Sequence, residues 1–157
     1  MRALVFFGGP SEERDVSAGS IKPWVTYLQA DPDSDVTVVF VDRLLRAYRL
    51  PPVYFYANTC ADFETQLRTL DLELDWDDVA DLARAHDVVV PLVHGEFGED
   101  GALQERLEAW GVPYVFSTPD ALARTLDKEA CYRALAAAGF PVPAHRTVRR
   151  ADWEADR

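Results

Sequence analysis

Unbroken apolar runs alternate along the chain with stretches in which apolar positions recur every three or four residues. Ala3 to Phe7 and Val88 to Val93 are runs of the first kind, and Val36 to Val41 is one interrupted only by Thr37, the pattern of strands covered on both faces. Ile21, Trp24, Val25 and Leu28 lie at i, i+3, i+4 and i+7, one face of a helix. Asp15 is placed to cap its start, and Pro23 either kinks it or opens a segment re-capped by Ser20. Trp76, Val79 and Leu82 predict a helix over 75–85. Leu103, Leu107 and Trp110 predict one over 102–110, stopped by Gly111. A helix over 128–138 ends at Gly139, before Pro141 and Pro143. Tyr48 to Tyr56 alternates weakly around Pro51-Pro52 and predicts an edge hairpin, and Val112 to Val115 a further short strand. The order implies an α/β fold: a three-layer, Rossmann-like parallel sheet with helices on both faces. Residues 1–143 read as one unit. Ala144 to Val148 then reads as a strand and Asp152-Trp153-Glu154 as a helix start, so 144–157 is expected to be the incomplete beginning of a second unit, as in a truncated chain.

Composition narrows the function. A 157-residue chain with 48% hydrophobic residues can bury a core and is not a disordered segment. Its net charge of -11 argues against nucleic acid and against an anionic membrane surface, since both demand clustered Lys and Arg. The acidic stretch Asp71 to Asp81 reads as a solvated helix face. The apolar N-terminal run is too short for a signal peptide, and no run reaches the ~18 apolar residues of a spanning helix. Cys60 and Cys131 match no metal-ligand spacing and read as reduced cytosolic thiols, which places the chain in the cytoplasm.

Candidate chemistry lies in two glycine-rich loops. Val93-His94-Gly95-Glu96-Phe97-Gly98-Glu99-Asp100-Gly101 follows an apolar strand, and Gly8-Gly9-Pro10-Ser11-Glu12-Glu13-Arg14-Asp15-Val16-Ser17 follows the first one. Loops at the carboxyl ends of strands are where open α/β sheets bind ligands. The glycines there permit close backbone approach to something small and charged. Taken alone, Glu13 could be a solvated loop carboxylate, His94 a core histidine, and Lys128 an exposed helix residue. His86 and His145 read as surface.

These motifs, together with Gln104, Gly111-Val-Pro-Tyr114 and Asp127-Lys128, occur in an order and spacing that resemble the N-terminal portion of the D-alanine–D-alanine ligases, ATP-grasp enzymes of peptidoglycan synthesis. The resemblance runs from residue 3 to about 148, apart from roughly 43–75. It implies that ATP phosphorylates the carboxylate of one D-alanine and that the amine of a second attacks the acyl phosphate. It further implies that Glu13 and His94 are catalytic, with Glu13 holding the ammonium of the first D-alanine and His94 beside its carboxylate. Val16 and Ser17 would line the substrate end of the first helix, and Lys128 would reach toward nucleotide phosphates. Gly8, Gly9, Gly95, Gly98, Glu99, Asp100, Gly101 and Gln104 would support the loops, Asp100 by capping the helix at Gly101 or Ala102. No metal ligand is assigned.

Departures from the pattern fall on the nucleotide side, where Phe116 to Asp120 and Arg124 to Leu126 replace a glycine-rich stretch and small residues, and Tyr132 stands in place of a second lysine. The cofactors implied are ATP and Mg²⁺ in a complete enzyme, with the chain alone inactive and binding neither well. The partners implied are D-alanine, the missing ATP-grasp domains or a partner chain carrying them, and a homodimer using the surface around Trp24 and Tyr27. Alternatives are a stand-alone binding module of this fold and the N-terminal part of another ATP-grasp carboxylate–amine ligase.

Overall fold

The computed structural model describes residues 1–54, 59–67 and 70–155. Five strands form one sheet: β1 (Arg2–Gly8), β2 (Asp35–Val41), β3 (Ala47–Leu50), β4 (Glu73–Leu74) and β5 (Val88–Pro91), in the spatial order β4-β3-β2-β1-β5. The helices are α1 (Arg14–Gln29), α2 (Cys60–Leu67), α3 (Trp76–Arg84), α4 (Ala102–Trp110), α5 (Pro119–Leu126), α6 (Lys128–Ala137) and α7 (Arg150–Ala155).

β1 is central and pairs in parallel with both neighbours, Val5 facing Val38 of β2 and Val90 of β5. Successive residues point to opposite faces, and both faces are covered. Ala3, Val5, Phe7, Val38, Phe40 and Val90 pack with Ala18, Ile21, Val25 and Leu28 of α1 and Phe63 of α2. Leu4, Phe6, Val39, Val41 and Val89 pack on the other side with Val79 and Ala83 of α3 and Leu103 and Leu107 of α4. The three-layer arrangement is as expected from unbroken apolar strands.

The sheet is mixed rather than wholly parallel, because β3 and β4 run antiparallel. The link between β2 and β3 spans only residues 42–46, too short for the crossover a parallel pair needs. Buried Asp42 closes that turn by accepting from the N–H groups of Leu44 (2.8 Å) and Arg46 (2.9 Å). The edge hairpin expected over 48–56 is therefore the return from β2 into β3. A short 3-10 turn follows at Pro52–Tyr54, and residues 55–58 lie outside the described residues.

Val112 to Val115 forms a single bridge, Tyr114 beside Val89, since Pro113 has no N–H to extend a ladder. Ala144 to Val148 forms no strand; the segment lies against α6 instead, with Thr147 Oγ1 donating to Glu129 and the His145 ring 5.0 Å from that of Tyr132. α7 begins at Arg150, two residues before the expected helix start.

α1 continues through Pro23, and Ser20 does not cap a new segment; its Oγ donates to the carbonyl of Val16 (2.9 Å). Its buried face is Ala18, Ile21, Val25 and Leu28, while Trp24 is 39% and Tyr27 77% exposed. Asp15 does not cap α1, which starts at Arg14 with Glu13 in the capping position. Its carboxylate instead accepts from the N–H of Cys60 (2.8 Å), the first residue of α2. Thr59 and Asp62 exchange side-chain and backbone hydrogen bonds across that same turn, a capping box. Asp75 caps α3, accepting from the N–H groups of Asp77 and Asp78.

Candidate functional site

β1 is the point where the strand order divides: the chain leaves it toward β2 on one side and returns to β5 on the other. The loops leaving the carboxyl ends of β1 and β5 consequently face one another, the place where open α/β sheets hold ligands. They also touch. A Cβ on Gly95, whose φ is +70°, would stand 2.2 Å from Ser11 Oγ, and one on Gly98 would stand 2.0 Å from the carbonyl oxygen of Val93. Only glycine permits the first loop to lie against the second, or the second to fold back on its own strand.

Ser17 ties the two strand ends together from beneath. It is fully buried; its Oγ accepts from the N–H of Gly8 (2.8 Å) and donates to the carbonyl of Leu92. The side chain expected to line a substrate pocket therefore spends its hydroxyl inside the scaffold, whereas Val16 is 57% exposed on the rim.

The glycine N–H groups are engaged as well. That of Gly9 donates to the carbonyl of Val41 (2.7 Å), that of Gly98 to Gly95 (3.2 Å), and that of Gly95 to Glu99 Oε2 (3.0 Å). At the start of α1 the N–H groups of Arg14, Val16 and Ser17 already donate to carbonyls of Ser11 and Glu13. The loops thus use these amides to hold themselves in shape. The titratable groups that converge between the loops are two carboxylates and an imidazole, a set that can receive a cation.

Three side chains converge there: Glu13 from the first loop, and His94 and Glu99 from the second, with one ligating atom of each within 4.8 Å of the others. Glu99 bridges its own loop, one oxygen on the N–H of Gly95 and the other 3.5 Å from His94 Nδ1. His94 and Glu99 are half-buried and Glu13 is exposed.

Asp100 holds this loop on α4 by accepting from the N–H groups of Phe97 (2.9 Å) and Ala102 (2.9 Å), so it does cap the helix. Gln104 is fully buried and its Nε2 donates to the carbonyl of Gly98 (2.9 Å). Phe97 adopts φ 76°, rare for a bulky residue. Its ring is buried edge-on against Trp76 at 5.7 Å, which offsets the backbone strain next to the site.

Ser11, Phe97 and Glu99 as a neighbour of His94 were not legible from spacing; the only signal was their place inside the two motifs. Arg14 was also missed. It is almost fully buried between Glu64 of α2 and Cys60. Burial works against its charge, but hydrogen bonds to Glu64 and Cys60 outweigh that and raise its pKa. Lys128 stands apart from the convergent group, exposed at the start of α6, whose capping residue is Asp127.

Residues 2–117 match the family described as the N-terminus of D-ala D-ala ligase. The chain is 34% identical over 153 residues to a D-alanine–D-alanine ligase of Deinococcus radiodurans, covering 98% of this chain and 43% of that protein. It is 35% identical over 147 residues to one of Granulibacter bethesdensis, covering 94% and 38%. The solved D-alanine–D-alanine ligase of Coxiella burnetii superposes with a TM-score of 0.73 at 27% identity, over 99% of this chain and 48% of that one. The chain thus spans under half the length of these relatives.

Proposed function

We propose, from the premise that this chain belongs to the D-alanine–D-alanine ligase family and corresponds to its N-terminal part, that it supplies the ammonium-binding half of the first D-alanine site of an ATP-dependent ligase making D-alanyl-D-alanine in the cytoplasm. The observation that carries this is the convergence of Glu13, His94 and Glu99 across the β1 and β5 loops. A zwitterionic amino acid brings an ammonium that carboxylates bind and an anionic end that an imidazolium can face. Glu13, exposed on the first loop, is the charge partner of the ammonium. A charge-assisted hydrogen bond of this kind contributes about 1.5–3 kcal/mol. Glu99 orients His94, and His94 holds or moves a proton near the substrate carboxylate. Ser17 and the loop glycines, Asp100 and Gln104 keep the two loops in register. Val16 forms the rim.

Neither Mg²⁺ nor ATP fits the groups among the described residues. Mg²⁺ favours six near-octahedral oxygen ligands, whereas the convergent group includes an imidazole. Lys128 is exposed at the start of α6, and the two amides next to it, of Glu129 and Ala130, already donate to Asp127. Both belong with the length of the relatives that this chain does not span, and the chain by itself is expected to be inactive. Residues 1–143 form the unit that carries the half-site, with 144 onward leading into the next. A homodimer contact would lie on the exposed patch of Pro23, Trp24 and Tyr27.

The test places Glu13→Ala and His94→Ala in a full-length ligase carrying this N-terminal part. Losing the charge-assisted pair should raise KM for the first D-alanine about 10–100-fold for Glu13→Ala, and His94→Ala should lower kcat. Unchanged KM and kcat in both variants would remove the assignment.

A further inference from the structure

We propose that Glu13, His94 and Glu99 also form a binding site for a divalent transition-metal ion of the Zn²⁺ class, separate in chemistry from any Mg²⁺ the ligase uses. The separation between His94 Nδ1 and Glu99 Oε1 is the first argument. At 3.5 Å it exceeds the 2.7–3.2 Å of an N–H···O hydrogen bond. It matches instead two ligands of one tetrahedral ion, which lie roughly 3.3–3.4 Å apart when each bond is about 2.0–2.1 Å.

The second argument is that the pair is held in place before any ion arrives. Glu99 Oε2 is fixed by the N–H of Gly95, and the loop is pinned to α4 by Asp100 and Gln104. Such outer hydrogen bonds orient ligands and sharpen affinity. Glu13 completes the face from the other loop. Its ligating oxygen lies within 4.8 Å of the other two, and as an exposed side chain it can close the remaining gap by rotation. One imidazole and two carboxylates balance the charge of a divalent ion and leave a coordination position open to water. Imidazole selects zinc-like ions over Mg²⁺.

The assignment rests on this geometry and stands whether or not the same carboxylates hold a substrate ammonium. It is tested by calorimetric titration of Zn²⁺ and, separately, Mg²⁺ into the untagged chain and into Glu13→Gln and Glu99→Gln. The side-chain amide carbonyl that Glu99→Gln introduces can still accept from the N–H of Gly95, so the loop keeps its tie, and circular dichroism checks that both variants fold. One Zn²⁺ should bind per wild-type chain, Mg²⁺ should not bind, and each variant should weaken Zn²⁺ by at least about tenfold, since even outer partners are worth 10–100-fold. No Zn²⁺ binding by the wild type would overturn the proposal. So would equal affinity in the variants, which places the ion elsewhere, as at the exposed His145–Glu129 pair. The titration reads metal binding alone, so its failure leaves the ammonium reading untouched, and that reading stands or falls on KM of the full-length Glu13→Ala enzyme.

Discussion

Replacing Ser17 by alanine isolates the contact that brings the two loops together. The hydroxyl sits in a fully buried position, accepts from the N–H of Gly8 and donates to the carbonyl of Leu92. Its removal strands one buried donor and one buried acceptor, each costing about 1–3 kcal/mol when left unmade. The expected loss is about 2–5 kcal/mol, or roughly 5–15 °C in Tm for a chain of this size. Urea unfolding followed by the fluorescence of the four tryptophans measures it directly. The midpoint should fall by about 1–3 M with the slope unchanged. Amide exchange at Gly8 should quicken at the same time, because its acceptor is gone. A loss below about 0.5 kcal/mol, within the range of ordinary surface changes, would refute the idea that Ser17 clamps β1 to β5.

The remaining predictions concern glycines and thiols. Gly98→Ala should destabilise strongly, by about 3 kcal/mol or more and with loss of the His94 loop, because its Cβ would meet the Val93 backbone at 2.0 Å. Gly111→Ala, with φ +70° but nothing within 4 Å, should cost only the left-handed backbone penalty of about 1–2 kcal/mol; equal effects in thermal melts would contradict this contrast. Burial pushes the Cys60 thiol up to about 11, so a maleimide at mildly alkaline pH should label Cys131 and spare Cys60 until the chain unfolds. The folded state favours the protonated Cys60, so its contribution to stability is complete below the ordinary thiol value near 9 and is lost as pH rises toward about 11. Denaturation midpoints that stay level across that window would exclude this linkage.

Much of the architecture was legible because local patterns and tertiary needs agree. The apolar runs of β1, β2 and β5 could only be strands buried on both faces, and the spacing of Val79, Leu103 and Leu107 marked the inward sides of α3 and α4. The glycines marked both loops, and the family pattern drew attention to Glu13 and His94. Helices α2 and α5 carry no such mark. Both are only eight residues long; α5 buries only Leu122, and in α2 the buried face is a single repeat of Cys60, Phe63 and Leu67.

Composition, the order of elements along the chain and the identity of the two loops are properties of the chain read in one dimension, since hydrophobic period and turn chemistry act over a few residues. Which groups meet is not. Ser17 can be read as facing substrate or facing the core, and only the packing of α1 under β1 and β5 turns it inward. Glu99 could be loop support alone; the fold of its own loop sets it beside His94, and the close approach of Gly95 to Ser11 brings that pair opposite Glu13. Asp15 has the position of a cap for its own helix and anchors the start of α2 instead. These outcomes depend on contacts across tens of residues, where a side chain's partner is set by the sheet's strand order rather than by its neighbours in the chain.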